Sequence, residues 1–220
     1  MKKKKLSAKK KNAVAAPEES RVRTGEKAKF LMSAAFYSDL PEPVHIEYCI
    51  LGRSNVGKSS FMNHVLESGK ISRVSRRPGK TSLANYFQIS DDMVWVDLPG
   101  YGYAKVSRGE KQRWSKLIKD YCENRENLYG IIWLIDVRHK PQQVDLTAFD
   151  WLIDLEIPIF PIFTKSDKLN QRELAKQVSL LKEAFGFPTT PVTYTTMKHN
   201  SRLKFWKSFD DFRKDVEGDK

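Results

Sequence analysis

The sequence predicts an α/β domain of three layers: a mixed, mostly parallel six-stranded sheet with helices on both faces. Three observations predict it. Short apolar runs rich in Val, Ile and aromatic residues alternate along the chain with longer stretches of helical period. One such run, residues 48–51, leads straight into the glycine-bearing segment GRSNVGKSS at 52–60, and residues 59–66 then read as a helix. The chain has 220 residues, enough to bury the core of one such domain and carry a tail.

The tail comes first. Residues 2–11 are all lysine except Leu6, Ser7 and Ala8, and residues 1–30 hold eleven Lys and Arg against three Glu, so they carry +8 of the formal +12. With little to bury, residues 1–28 read as a disordered basic arm and 29–220 as the folded domain. Two readings of the arm stand: a contact for an anionic partner such as nucleic acid, or a solubilising tail. Residues 30–44, FLMSAAFYSDLPEPV, are apolar without a clear period and close on two prolines, so they are expected to pack on the domain edge.

Strands are predicted at 46–51, 84–89, 93–97, 130–136, 158–163 and 191–194. The turn Ser90, Asp91, Asp92 is too short for a parallel crossover, so the strands on either side should pair antiparallel and leave one sheet edge mixed. Pro161 removes a backbone donor from a central-looking strand. Ser107 with Glu110 forms a capping box, after which Trp114, Leu117, Ile118, Tyr121 and Cys122 recur at helical spacing. Lys111, Arg113, Lys116 and Lys119 fall on the other side of that helix, as a solvated face or an RNA contact. Near the end, Leu203, Trp206, Phe209, Phe212 and Val216 form a stripe expected to join the core. Cys49 and Cys122 lack metal-ligand spacing and read as buried, reduced thiols suited to the cytoplasm. The chain contains no long apolar run and no h-region after the lysines, so neither a membrane span nor a secretory signal is expected.

The chemistry gathers in three places. Gly52, Gly57, Lys58 and Ser59 match G-x-x-x-x-G-K-[ST]. The glycines let backbone N–H groups face inward to hold phosphate oxygens at a helix N-terminus. Lys58 would reach the β- and γ-phosphates, and the Ser59 hydroxyl would sit on Mg²⁺. Asp97, Leu98, Pro99 and Gly100 follow the MVWV run. That places a carboxylate for Mg²⁺ at a strand end and lets the Gly100 N–H approach a γ-phosphate. Thr164, Lys165, Ser166 and Asp167 end the PIFPIF run, at the edge where an open α/β sheet binds its ligand. An Asp carboxylate accepts from both N1–H and the exocyclic amine of guanine, a donor pair that adenine lacks. Lys165 would lay its stem along the base ring, and Thr164 stands where N-K-x-D has Asn. This selectivity disfavours an ATP-using phosphotransferase.

These motifs, with DLPGYGYAK at 97–105, LIDVRH at 134–139 and TKSDK at 164–168, resemble the EngB (YihA/YsxC) family of bacterial ribosome-assembly GTPases over about residues 30–212. The resemblance implies a monomeric, cytoplasmic, Ras-like P-loop GTPase domain that binds GTP and GDP with Mg²⁺ and assists assembly of the large ribosomal subunit on ribosomal RNA. It places nucleotide contacts on Gly52, Arg53, Ser54, Asn55, Val56, Gly57, Lys58, Ser59 and Ser60. Further contacts fall on Gly79 and Thr81 of the first switch loop (75–81), on Asp97 and Gly100, on Thr164, Lys165 and Asp167, and on Thr195 and Thr196 as the base-capping pair. Ser59, Thr81 and Asp97 are the implied Mg²⁺ ligands, and Lys58, Thr81 and Gly100 the implied catalytic groups. Arg77 stands where the family usually has Thr, and Asn55 matches an Asn that potassium-dependent relatives use as a K⁺ ligand. Tyr101 replaces the Gln common in Ras-like proteins and has no amide to orient water, so slow turnover is expected. A second reading is a nucleotide-gated RNA- or protein-binding module in which hydrolysis is incidental.

Overall fold

The computed structural model describes residues 28–67, 83–102 and 107–218. The arm up to residue 27 and the first switch loop, with Gly79 and Thr81, lie outside the described residues. The strands are β1 (Lys29–Ala34), β2 (Ile46–Gly52), β3 (Ala84–Gln88), β4 (Met93–Asp97), β5 (Leu128–Asp136), β6 (Ile159–Thr164) and β7 (Val192–Thr193). They form one seven-stranded sheet in the order β1-β3-β4-β2-β5-β6-β7. β4, β2, β5, β6 and β7 run parallel, while β3 is antiparallel to both β4 and β1. The short turn before β4 therefore closes a hairpin, in which the Ser90 hydroxyl donates to Asp92 at 2.6 Å.

The expected sheet gains a strand. β1 lies in the segment read only as edge packing, and a bulge between Phe30 and Met32 explains why it has no alternating period. As the outer strand it leaves Phe30 and Leu31 more than a third exposed. Pro161 is accommodated simply. The Pro158 carbonyl accepts from Ile131 of β5, the Thr164 carbonyl from Val137 just beyond it and the Phe163 carbonyl from Tyr194, so odd-numbered residues of β6 face β7. β7 begins only opposite Ile162, and no ladder donor is needed at Pro161.

Strand alternation buries both faces. Tyr48, Ile50 and Trp95 enter a core with α1 (Lys58–Val65) and α5 (His199–Gly218). Cys49, Leu51, Val94 and Val96 enter a second core. That core packs against α2 (Arg108–Asn124), α3 (Gln143–Asp154) and α4 (Gln171–Ala184). The predicted cap of α2 forms in both directions, with Ser107 accepting from the Glu110 N–H and Glu110 accepting from the Ser107 N–H. The α5 stripe shifts in phase. Phe205 and Phe209 are its fully buried members and Trp206 stacks on Trp95 at 5.2 Å, whereas Leu203 is 44% exposed and does not join the core.

Beneath the sheet, Glu47 is almost fully buried and is held by Arg125 through two hydrogen bonds of 2.9 and 2.6 Å and by the Tyr121 hydroxyl at 2.6 Å. Arg125→Met strands this carboxylate and is expected to cost about 3–5 kcal/mol in urea unfolding, against about 2 kcal/mol for Tyr121→Phe. Equal small losses would mean that Glu47 reaches water.

Candidate functional site

Parallel pairing brings the carboxyl ends of four strands to one edge. Ile50 lies opposite Asp97, Gly52 opposite Leu134, and Asp136 opposite Thr164. The loop after β2 turns there, with the Val56 N–H donating to the Arg53 carbonyl at 3.0 Å. Asn55 takes a left-handed φ of 64° and Gly57 one of 102°. Gly57 is the N-cap of α1 and supplies no side-chain acceptor, so the first-turn N–H groups remain for an anion held by the loop. At Gly52 a Cβ would lie 2.9 Å from the Leu134 carbonyl oxygen, so only glycine lets the loop leave the sheet at this point.

Lys58 is buried at the start of α1, and its ammonium contacts both the Asp97 carboxylate and the Leu98 carbonyl. Asp97 is itself 3% exposed. A buried cation and a buried anion thus neutralise each other beside the phosphate loop. Ser59 follows, half-buried, and Ser60 is exposed. Gly100 lies against the loop so closely that a Cβ would meet the Gly52 carbonyl oxygen at 3.2 Å and the Ser54 nitrogen at 3.3 Å.

The TKSD segment is tied to this loop directly. The Thr164 hydroxyl lies 2.8 Å from the Val56 carbonyl and 3.2 Å from the Ile135 carbonyl, so the hydroxyl links the two segments without the amide of N-K-x-D. Lys165, at φ 62°, reaches back over Gly57 and donates to the Asn55 carbonyl at 2.6 Å and to Asp136 at 2.8 Å. Burial raises the Asp136 carboxyl, but hydrogen bonds from Arg138 and Lys165 outweigh it and hold the pKa at about 2. Because this pKa is depressed, the stabilisation from the Arg138 and Lys165 contacts together is complete above the ordinary carboxylate range and is lost as pH falls through about 2.

Asp167 Oδ1 accepts from the buried Thr195 hydroxyl at 2.8 Å, and Oδ2 lies 3.1 Å from the Lys168 ammonium. Burial opposes its ionisation, yet these two donors hold the carboxyl below its usual range. The Ser166 N–H donates to the Tyr194 carbonyl at 3.2 Å, so the TKSD turn and the segment after β7 move together. Thr195 therefore joins the site, while Thr196 is exposed.

The Arg53 side chain turns away from the loop towards Gln142, the N-cap of α3, and Asp145 in its first turn. Two further carboxylates of the site, Asp136 and Asp145, carry no motif in the sequence that marks them as candidates. Asp136 sits inside LIDVRH, at the end of an apolar strand, and that position was the available signal. Asp145 had none, since it reads as one acid among the polar residues of a helix.

A phosphate loop, a following Asp-x-x-Gly at the neighbouring strand end and the TKSD turn on the far side mark a P-loop GTPase with the Ras-like fold. Residues 47–165 match the family model described as 50S ribosome-binding GTPase. The "Probable GTP-binding protein EngB" of Streptococcus pyogenes serotypes M28 and M1 is 39% identical over 192 residues, covering 87% of this chain and 96% of theirs. The chain belongs to the EngB family of GTP-binding, GTP-hydrolysing proteins. In fold it is similar to the crystal structure of a probable GTP-binding protein EngB, at TM-score 0.63 and 22% identity over 76% of this chain and 99% of that one. Aquifex aeolicus Era gives 0.61 and 20%, over 76% and 56% respectively. Among the described residues no helix is long and apolar enough to cross a membrane.

Proposed function

We propose that the protein is a cytoplasmic, monomeric GTP switch that binds the large ribosomal subunit or its precursor in one nucleotide state and leaves after slow hydrolysis. The observation that carries this reading is the bridge from Lys165 to the Asn55 carbonyl. Through it the TKSD turn is tied directly to the phosphate loop, so that a guanine reader and a phosphate cradle lie side by side in one site. The family model's description, 50S ribosome-binding GTPase, supports the choice of partner.

Within that site the phosphate contacts come from residues 52–60, Arg53 through its backbone only, since its side chain is turned to Asp145. Gly79, Thr81 and Gly100 meet the γ-phosphate, and Asp167 with Thr195 and Thr196 faces the base. The donors fit Mg²⁺: one buried carboxylate, Asp97, and the hydroxyl of Ser59, next after the lysine that touches it, suit an ion that keeps waters and phosphate oxygens in its shell. Thr81 would complete the protein ligands. Magnesium supplies charge neutralisation of the phosphates; Lys58 and the loop N–H groups hold the transferring group in line. Asn55, exposed and left-handed at the loop tip, is the candidate ligand for K⁺.

The basic arm, 1–28, would add sequence-blind contacts to ribosomal RNA, alongside exposed cations of α2 such as Arg108, Lys111 and Arg113. A second reading, a nucleotide-gated binding module with incidental hydrolysis, is favoured by Tyr101, whose hydroxyl is engaged elsewhere. Sedimentation of the protein with large-subunit precursors in GTP analogue, GDP and ADP tests the first reading. Co-sedimentation with the analogue alone is expected, and equal recovery in all three would overturn it. Single-turnover hydrolysis separates the readings: acceleration on particles supports the enzyme, whereas an unchanged slow rate supports the module.

A further inference from the structure

Tyr101 occupies the position next to Gly100, yet its side chain leaves the phosphate loop. Its hydroxyl donates to Asp145 Oδ1 at 3.1 Å and accepts from the Trp133 indole N–H at 2.9 Å. Trp133 is fully buried and stacks on Phe149 of α3 at 5.4 Å with an interplanar angle of 10°, so packing fixes the direction of its N–H. Asp145, in the first turn of α3, is 8% exposed, and its other oxygen lies 3.8 Å from the Arg53 guanidinium. Arg53 also donates to Gln142.

The main chain repeats the same connection. The Tyr101 N–H donates to the Gly52 carbonyl at 3.2 Å, and the Ser54 N–H donates to the Tyr101 carbonyl at 2.8 Å. One buried carboxylate on α3 therefore holds the second residue of the phosphate loop and the residue after Gly100 at the same time. Gly100 lies between these two attachments, where a Cβ would fit tightly, 3.2 Å from the Gly52 carbonyl oxygen and 3.3 Å from the Ser54 nitrogen.

We infer that Tyr101 and Asp145 are positioning residues that fix Gly100 against the phosphate loop, and so set the preference for triphosphate over diphosphate without either side chain touching the nucleotide. The inference rests on the reading of Gly100 as a γ-phosphate contact. Tyr101→Phe keeps the ring and removes the hydroxyl, which leaves the Trp133 N–H unpaired and Asp145 facing only Arg53. Gly100 is then held by backbone bonds alone. A contact made only with the γ-phosphate should weaken while the diphosphate contacts stay intact.

Titration of the full-length protein with a non-hydrolysable GTP analogue and with GDP, both with Mg²⁺, tests this. Tyr101→Phe is expected to lower the analogue-to-GDP affinity ratio about tenfold, the loss of one hydrogen bond to a charged group. GDP affinity should stay within about twofold of the parent. Asp145→Leu should give the same loss, and the double variant no more than either single one, because the two act as a unit. Asp145→Asn keeps an acceptor for the hydroxyl and should restore most of the ratio. Equal weakening of both nucleotides, or additive losses in the double variant, would overturn the proposal as a merely structural effect. Gly100→Ala serves as the control for the underlying reading. If it leaves the ratio unchanged, the γ-phosphate assignment itself falls; if it lowers the ratio and Tyr101→Phe does not, only the positioning role falls.

Discussion

Asp167→Asn is expected to erase discrimination between GDP and ADP by roughly 10⁴-fold, chiefly through loss of GDP affinity, and to admit xanthosine diphosphate. The carboxylate is prepared for this task by its surroundings. Thr195 fixes one oxygen at 2.8 Å and Lys168 neutralises the other at 3.1 Å, so the group is ionised and aimed before any base arrives. An ionised carboxylate is acceptor-only and matches two guanine donors. The amide of Asn presents one acceptor and one donor, which opposes the guanine amine and suits the carbonyl of xanthine. Parallel titrations of GDP, ADP and xanthosine diphosphate check the result, and comparable GDP and ADP affinities in the parent protein would remove the base-reading role.

Lys58→Met should produce two losses. Triphosphate affinity is expected to fall roughly 100-fold, in line with the removal of charge-assisted hydrogen bonds to phosphate. The nucleotide-free protein should also lose about 3–5 kcal/mol of stability, because Asp97 is 3% exposed and Lys58 is the cation paired with it. Asp97→Asn combined with Lys58→Met should recover most of the stability and none of the affinity. Urea unfolding without nucleotide, set beside calorimetric titration with a GTP analogue, separates the two effects. A stable single variant would show that water or a neighbouring group already satisfies Asp97.

Much of this architecture was legible because the motifs carry their own context. An apolar run before G-x-x-x-x-G-K-S and another before D-x-x-G place both loops at strand ends, and the hairpin followed from the length of the 90–92 turn. The capping box at Ser107 is a local device, and it formed as read. What escaped was set by tertiary structure. β1 lacks a readable period because its bulge interrupts the alternation at Leu31. Leu203 fits a helical stripe on paper, but the buried side of α5 is centred on Phe205 and Phe209, the rings that meet Trp95. Asp136 pairs locally with Arg138 but meets the TKSD turn only through Lys165, and Asp145 acts through Arg53 and Tyr101, so the contacts that matter to the site are distant in sequence and a single sequence does not record them.

The place of β2 at the middle of the sheet has a consequence for biosynthesis. It pairs in parallel with β4, and on its other side with β5, whose residue opposite Gly52 is Leu134. Roughly 80 residues must be synthesised between the two, which takes on the order of several seconds at ~5–20 residues per second. Throughout that interval the strand that carries the phosphate loop lacks at least one neighbour, and Thr164, which meets the loop at the Val56 carbonyl, and Thr195, which holds Asp167, do not yet exist. Nucleotide therefore has little to grip on the growing chain until residues 164–195 have been made. Until β5 is made the growing chain leaves one edge of an apolar parallel strand open, the kind of surface that makes slow parallel pairing prone to aggregation.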